Sequence, residues 1–319
     1  MSLFIDQIRE RALKADKRII LPRSSDKRVV QAANFMQKNN LCDISLVLED
    51  DTDTQNIDSR IEVLNIDSDP DLSVYIDHLV KRRSHKNLST EEASVIMSDP
   101  LYYAAAKVWS GKAHGAVAGS VSTTADVLRA AIYVIGLDKD TEVVSSVFIM
   151  SFDDGKIFTY GDCAVVPYPD SIELSNIAKS SARTHQKLVQ SEPRIAMLSF
   201  SSKGSAKHER VELVTKALED VRRTAPDLII DGELQFDAAY LESVGKRKAP
   251  GSPVAGKANV YVFPNLDAGN IGYKITQRLG GATATGPIIQ GLDKPMMDLS
   301  RGCSWEDIVN TACVCALMS

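Results

Sequence analysis

Apolar residues come in short, strand-length blocks, and between the blocks they recur at helical spacing. The blocks predict strands at 18–21 (RIIL), 44–48 (ISLVL), 61–65 (IEVLN), 115–120 (GAVAGS), 143–150 (VVSSVFIM), 157–160 (IFTY), 194–200 (RIAMLSF), 227–232 (DLIIDG), 259–264 (NVYVFP) and 286–290 (GPIIQ). Several are β-branched and apolar on both faces, as in a parallel sheet covered by helices. Helices are predicted over 26–40, 89–97, 99–111, 208–226 and 304–318. Ser89 and Glu92 are spaced as a capping box. Asp99, Pro100 and Gly111 supply an N-cap, a first helical residue and a stop. The alternation predicts an α/β fold of two doubly wound, three-layer domains with mostly parallel sheets. The polar break LDKDT (138–142) marks a domain boundary, and DDGK (153–156) adds a hairpin signal to the parallel pattern. With no long linker between them, the domains are expected to abut and form an interdomain cleft.

Composition narrows the function classes. The 319 residues are 44% hydrophobic and 25% charged, as in a soluble globular protein. No apolar run reaches the roughly 18 residues of a membrane span, so no membrane partner is expected. The N-terminal 18 residues are amphipathic and carry acids, unlike a secretory signal. A net charge of −5 argues against a nucleic-acid partner. The odd count of five cysteines, without ligand spacing, predicts reduced thiols, a cytoplasmic location and no metal site.

GSPVAGKA (251–258) is close to a nucleotide-gripping phosphate loop, but its context is wrong. It runs straight into a strand rather than opening a helix, and Ala258 stands where a metal-binding hydroxyl belongs. No GxGxxG follows a strand either. Better anion sites lie elsewhere. Ser300–Ser304 forms a loop before the last helix, where free N–H groups, the helix dipole and Arg301 suit a phosphate. In 118–131, a glycine-ended strand leads through Ser122, Thr123 and Thr124 into a helix carrying Arg129; here a plain threonine cap is the competing reading. A glycine-rich turn at 269–272 is expected to precede a helix bearing Lys274 and Arg278.

DPLYYAAAKV, STTADVLR, GDCAVVPYPD, DGELQFDAA, APGSPVAGKANV, GNIGYKITQRLGG and DLSRGCSWEDIV together resemble the phosphate acetyltransferases (phosphotransacetylases) of the phosphate acetyl/butyryltransferase family. The likeness extends over nearly the whole chain from about residue 15, and the long forms' N-terminal regulatory domain has no counterpart. The resemblance implies reversible acetyl transfer between acetyl phosphate and coenzyme A, by direct thiolate attack in a ternary complex. Phosphate, acetyl phosphate and coenzyme A are then the small-molecule partners, and coenzyme A is a substrate rather than a resident cofactor. The resemblance further implies a homodimer and two domains of the isocitrate/isopropylmalate dehydrogenase kind. In this family the last segment returns to the first domain, which gives 1–137 plus 287–319 and 138–286.

The likeness also assigns residues. Asp307 matches the family's general base, although Ser304 and Asp307 also read as a capping box. Arg301 matches the arginine that stabilises transition-state charge, with Ser300 donating beside it. Arg129 and Arg278 match substrate-site arginines. Arg83 matches one linked to coenzyme A, with Arg82 competing for the register. Cys163 matches a cysteine near the site and is read as a small buried residue, not a nucleophile. Asn270 and Tyr273 are candidates for lining the substrate site, although packing explains them equally well. Ala130, Lys203, Lys207 and Trp305 depart from the usual pattern. Propionyl or butyryl transfer is the near alternative. A metal-dependent decarboxylating dehydrogenase needs an aspartate cluster and a nicotinamide pocket, and neither is visible. A non-catalytic acyl-phosphate sensor conflicts with the complete set Arg129, Arg278, Ser300, Arg301 and Asp307.

Overall fold

The computed structural model describes residues 3–319; residue 1, the expected start of the first domain, lies outside them. The chain divides into two compact units, Leu3–Asp138 with Leu292–Ser319, and Lys139–Gly291. In chain order the first unit holds α1 (Leu3–Leu13), β1 (Arg18–Leu21), α2 (Lys27–Lys38), β2 (Asp43–Val47), β3 (Glu62–Leu64), α3 (Leu72–Arg82), α4 (Thr90–Met97), α5 (Pro100–Trp109), β4 (Gly115–Ala118) and α6 (Thr124–Val134). The second holds β5 (Ser145–Ser151), β6 (Ile157–Gly161), α7 (Ser171–Val189), β7 (Arg194–Leu198), α8 (Glu209–Thr224), β8 (Ile229–Leu234), α9 (Phe236–Tyr240), α10 (Glu242–Lys248), β9 (Val260–Val262), α11 (Leu266–Arg278) and β10 (Thr283–Gln290). The chain then re-enters the first unit with β11 (Met296–Asp298) and α12 (Trp305–Met318).

The first sheet has the order β11-β4-β1-β2-β3, and every pair in it is parallel. Helices α3, α4, α5 and α6 bury one face, where Tyr75, Leu79, Met97 and Leu101 meet Ile20 and Ala116. Helices α2 and α12 pack on each other and on strands of this sheet, and α1 packs on α12. Between β1 and β4 the strand order changes direction. Ligands of open α/β sheets sit at such a switch point, beyond the carboxyl ends of the strands.

The second sheet, β10-β5-β6-β9-β7-β8, is mixed. β10, β5 and β6 pair antiparallel, and β6, β9, β7 and β8 pair parallel. The predicted hairpin turn closes β5 onto β6, with Gly155 at φ +86°. Strand alternation divides the core cleanly. Ile195, Met197, Val260 and Val262 face α7 and α8, whereas Ala196, Leu198 and Tyr261 pack with Ala238, Ala239 and Val254.

Three details differ from the sequence expectations. Gly269 and Gly272 lie inside α11, not in a turn before it. Their role is close approach: a Cβ on Gly269 would stand 2.1 Å from the Asp162 carbonyl oxygen, and one on Gly272 would stand 3.0 Å from the Phe263 ring. The return to the first unit comes at Gly291–Leu292 rather than at 286–287, because β10 stays paired to β5 through Gln290. β11 and α7 were not foreseen. α7 buries Ser175, Asn176, Ser180, Ser181, Thr184 and His185, so an apolar stripe does not reveal it.

Candidate active site

The loop 299–304 leaves β11 and opens α12. Ser304 caps the helix: its Oγ accepts from the Asp307 N–H (3.2 Å), and Asp307 Oδ2 accepts from the Ser304 N–H (2.8 Å). The expected capping box is therefore formed, and it uses one carboxylate oxygen of an exposed Asp307. Ser300 Oγ accepts weakly from the Gly302 N–H (3.3 Å), which leaves the hydroxyl proton available to donate. The Arg301 guanidinium is exposed and makes no hydrogen bond or ion pair among the described residues. Burial raises the Cys303 thiol above its ordinary value. Trp305 packs on Phe35 of α2, ring centroids 5.0 Å apart.

Arg28, in the first turn of α2, holds this loop and was not foreseen from sequence. Its Nη1 donates to the carbonyls of Arg301 (3.0 Å) and Cys303 (2.8 Å), and its Nη2 donates to the Ser120 carbonyl (2.9 Å) and Asp26 (2.9 Å). One planar guanidinium thus joins three elements: the start of α2, the end of β4 and the loop before α12. The sequence signal was slight, since Arg28 reads as an ordinary helix residue and its partner Arg301 is 273 positions away.

In the β4–α6 turn the three candidate hydroxyls have different fates. Thr123 is the N-cap, accepting from the Asp126 N–H (3.2 Å) and donating to Asp126 Oδ2 (2.7 Å). Thr124 donates to the buried Asp298 (2.6 Å). The Ser122 hydroxyl has no hydrogen-bond partner among the described residues. Arg129 pairs with Asp126 at 2.7 Å, and both side chains are about half exposed. The Asp126 carboxyl is held below its usual range, first by the Thr123 hydroxyl and then by Arg129.

Arg82 and Arg83 are now distinguished. Arg82 donates to the carbonyls of Tyr133 (2.9 Å) and Ile132 (3.2 Å), which closes the C-terminus of α6. The Arg83 guanidinium lies over the Tyr133 ring at 3.8 Å and makes no hydrogen bond or ion pair among the described residues, so its donors remain available.

The second-unit candidates are mostly structural. Cys163 is fully buried, and desolvation pushes its thiol up. Asn270 Nδ2 donates to the Cys163 carbonyl (3.0 Å), tying α11 to the loop after β6. Tyr273 stacks on Phe148, centroids 4.0 Å apart and planes 11° apart, and burial raises its phenol. The Arg278 side chain is exposed at the last turn of α11 and makes no hydrogen bond or ion pair among the described residues. No group of metal-ligating side chains occurs among the described residues.

The family model described as "Phosphate acetyl/butaryl transferase" matches residues 3–316. A phosphate acetyltransferase of Acetivibrio thermocellus is 44% identical, over 99% of this chain and 98% of that protein. Among solved structures, a phosphotransacetylase from Streptococcus pyogenes superposes with a TM-score of 0.93 at 38% identity, covering 99% of this chain and 98% of that one. A branched-chain phosphotransacylase from Enterococcus faecalis, 20% identical over 94% of this chain and 99% of its own, shares the fold with a TM-score of 0.69.

Proposed function

Since the chain belongs to the phosphate acetyl/butaryl transferase family, we propose that it transfers acetyl reversibly between acetyl phosphate and coenzyme A. The observation that carries this reading is the loop before α12. There an unpaired Arg301, a Ser300 free to donate and an exposed Asp307 sit on backbone that Arg28 holds in place.

The coenzyme A thiol loses its proton to Asp307 Oδ1, the oxygen not used in the cap. The thiolate attacks the acetyl carbon, a C–S bond forms, the C–O bond to phosphate breaks, and phosphate leaves with the electron pair. A thiol with pKa about 8.5 costs roughly 2 kcal/mol to ionise at pH 7. Positioning two substrates supplies about 7–11 kcal/mol, and one well-aimed donor about 3–4 kcal/mol. Arg301 and substrate positioning therefore outweigh the base. Arg301 and Ser300 take the carbonyl and phosphate charge, Arg129 and Arg278 the substrate anions, and Arg83 coenzyme A. Ser122 adds a hydroxyl donor, whereas Thr123 and Thr124 shape the turn. Asn270 and Tyr273 brace α11 within the second unit, and Cys163 fills space there.

Cytoplasmic location and a homodimer belong to the same proposal. No helix among the described residues is long and apolar enough to cross a membrane. Ile271 and Ile275 on α11, with Leu279 just beyond its end, form an exposed apolar stripe that suits a second copy of the chain. The deciding assay follows thioester absorbance with acetyl phosphate and coenzyme A. Formation of acetyl-CoA faster than butyryl-CoA from butyryl phosphate supports the reading. Absence of acetyl-CoA defeats it, and labelled acetyl retained on the protein without coenzyme A defeats direct transfer.

A further inference from the structure

Asp298 is the last residue of β11, two positions before Ser300, and is 3% exposed. It has no ion-pair partner among the described residues. Its Oδ2 accepts from the Thr124 hydroxyl at 2.6 Å, while its buried Oδ1 has no partner among the described residues. Gly119 is built to this carboxyl. At φ +102°, a Cβ there would stand 2.3 Å from Oδ1 and 2.5 Å from the Leu299 nitrogen. Desolvation pushes the carboxyl up to about 6. A strand end needs no buried carboxyl for packing, and an unpaired one is costly. Here it joins two segments that the β-ladder alone does not connect, the turn entering α6 and the loop leaving β11.

Resting on the acyl-transfer reading, we propose that Asp298 is a positioning residue. Its carboxyl takes the Thr124 hydroxyl and so fixes the Ser122–Thr124 turn against the Ser300–Arg301 loop. Asp298 touches no substrate; it acts through the two loops it joins. Gly119 and Thr124 complete the device, one by making room and the other by donating.

The test uses the full chain with Thr124→Val, which keeps the shape and loses the hydroxyl, Thr124→Ser, which keeps the hydroxyl, and Asp298→Leu. We expect Thr124→Val and Asp298→Leu each to lower kcat about 10- to 100-fold, with the KM for coenzyme A unchanged. The double variant should fall no further than the worse single, and Thr124→Ser should recover most of the loss. Amide exchange in 299–304 should quicken in Thr124→Val and not in Thr124→Ser. Wild-type kcat in Thr124→Val, multiplying losses in the double variant, or unchanged exchange would each overturn the proposal. If the wild-type chain forms no acetyl-CoA, the activity reading fails, and the exchange measurement alone still decides whether the carboxyl holds the loop.

Discussion

The loop before α12 and the loop after β6 both follow strand ends and both touch candidate residues, yet they are built in opposite ways. After β6, polar groups satisfy one another. Asp162 accepts the N–H groups of Ser146 (3.1 Å), Ala164 (3.0 Å) and Val166 (2.7 Å), and Asn270 closes on the Cys163 carbonyl. Before α12 the backbone is held by Arg28, but the Arg301 guanidinium donates to no group among the described residues. A fixed backbone under an unsatisfied side chain is preorganisation: ordering the loop is completed in folding, and the interaction energy is kept for a ligand. A loop whose polar groups are already paired has structure to lose and little chemistry to give.

The contrast yields a graded set of expectations. Arg301→Ala should have the largest kinetic effect, lowering kcat by about 10²–10³ while the melting temperature stays put, since no structural bond is removed. A fall in melting temperature of similar rank would show Arg301 to be scaffold. Asp307→Asn should lower kcat about 10²-fold or more with little loss of stability, because an amide oxygen can still accept the Ser304 N–H. Unchanged turnover would leave Asp307 as a cap alone. Arg28→Ala should damage both quantities, freeing the carbonyls of Ser120, Arg301 and Cys303. In the second unit the ranking reverses: Asn270→Ala should cost about 1–2 kcal/mol in denaturant unfolding and leave turnover within a few-fold of wild type.

A subtler test uses pH. Asp298 in the first unit is raised to about 6, and His185 in the second is lowered to about 4 by burial. For Asp298 the native state binds the extra proton, so its contribution is intact below about 4 and is lost as pH rises through 6. For His185 the unfolded chain binds the proton, so stability is full above about 6.5 and falls as pH drops toward 4. Each window carries at most roughly 3 kcal/mol. Asp298→Asn should flatten the alkaline-side loss and His185→Gln the acid-side loss, read as unfolding midpoints at pH 4.5, 6 and 8. Identical slopes in both variants and wild type would refute the assignment.

The fold was readable wherever burial follows a simple period. RIIL, IFTY and the first five residues of RIAMLSF are strands because their apolar faces fill a sheet covered by helices, whereas Ser199 and the exposed Phe200 lie beyond the strand. The buried hydroxyls of α7 hid that helix, and β11 was too short to stand out. The site was readable where chemistry is local, as with the Ser304–Asp307 box and the Thr123 cap. It was hidden where contacts join distant segments. Nothing around Arg28, Gly119 or Asp298 hints that they meet residues from the other end of the unit. Arg82 and Arg83 are neighbours with equal charge, and only the placement of the α6 carbonyls separates a helix clasp from a free cation.

The crossing back of the last segment has a consequence for how the protein comes to life. A ribosome that has released everything up to β10 has supplied a complete second sheet, but a first one that ends at a bare β4. That edge is covered, and the loop before α12 brought beside Ser120, only when β11 and α12 emerge. Under the proposed function, acyl transfer waits for this returning segment, and a product stopped before it would present an open edge at β4.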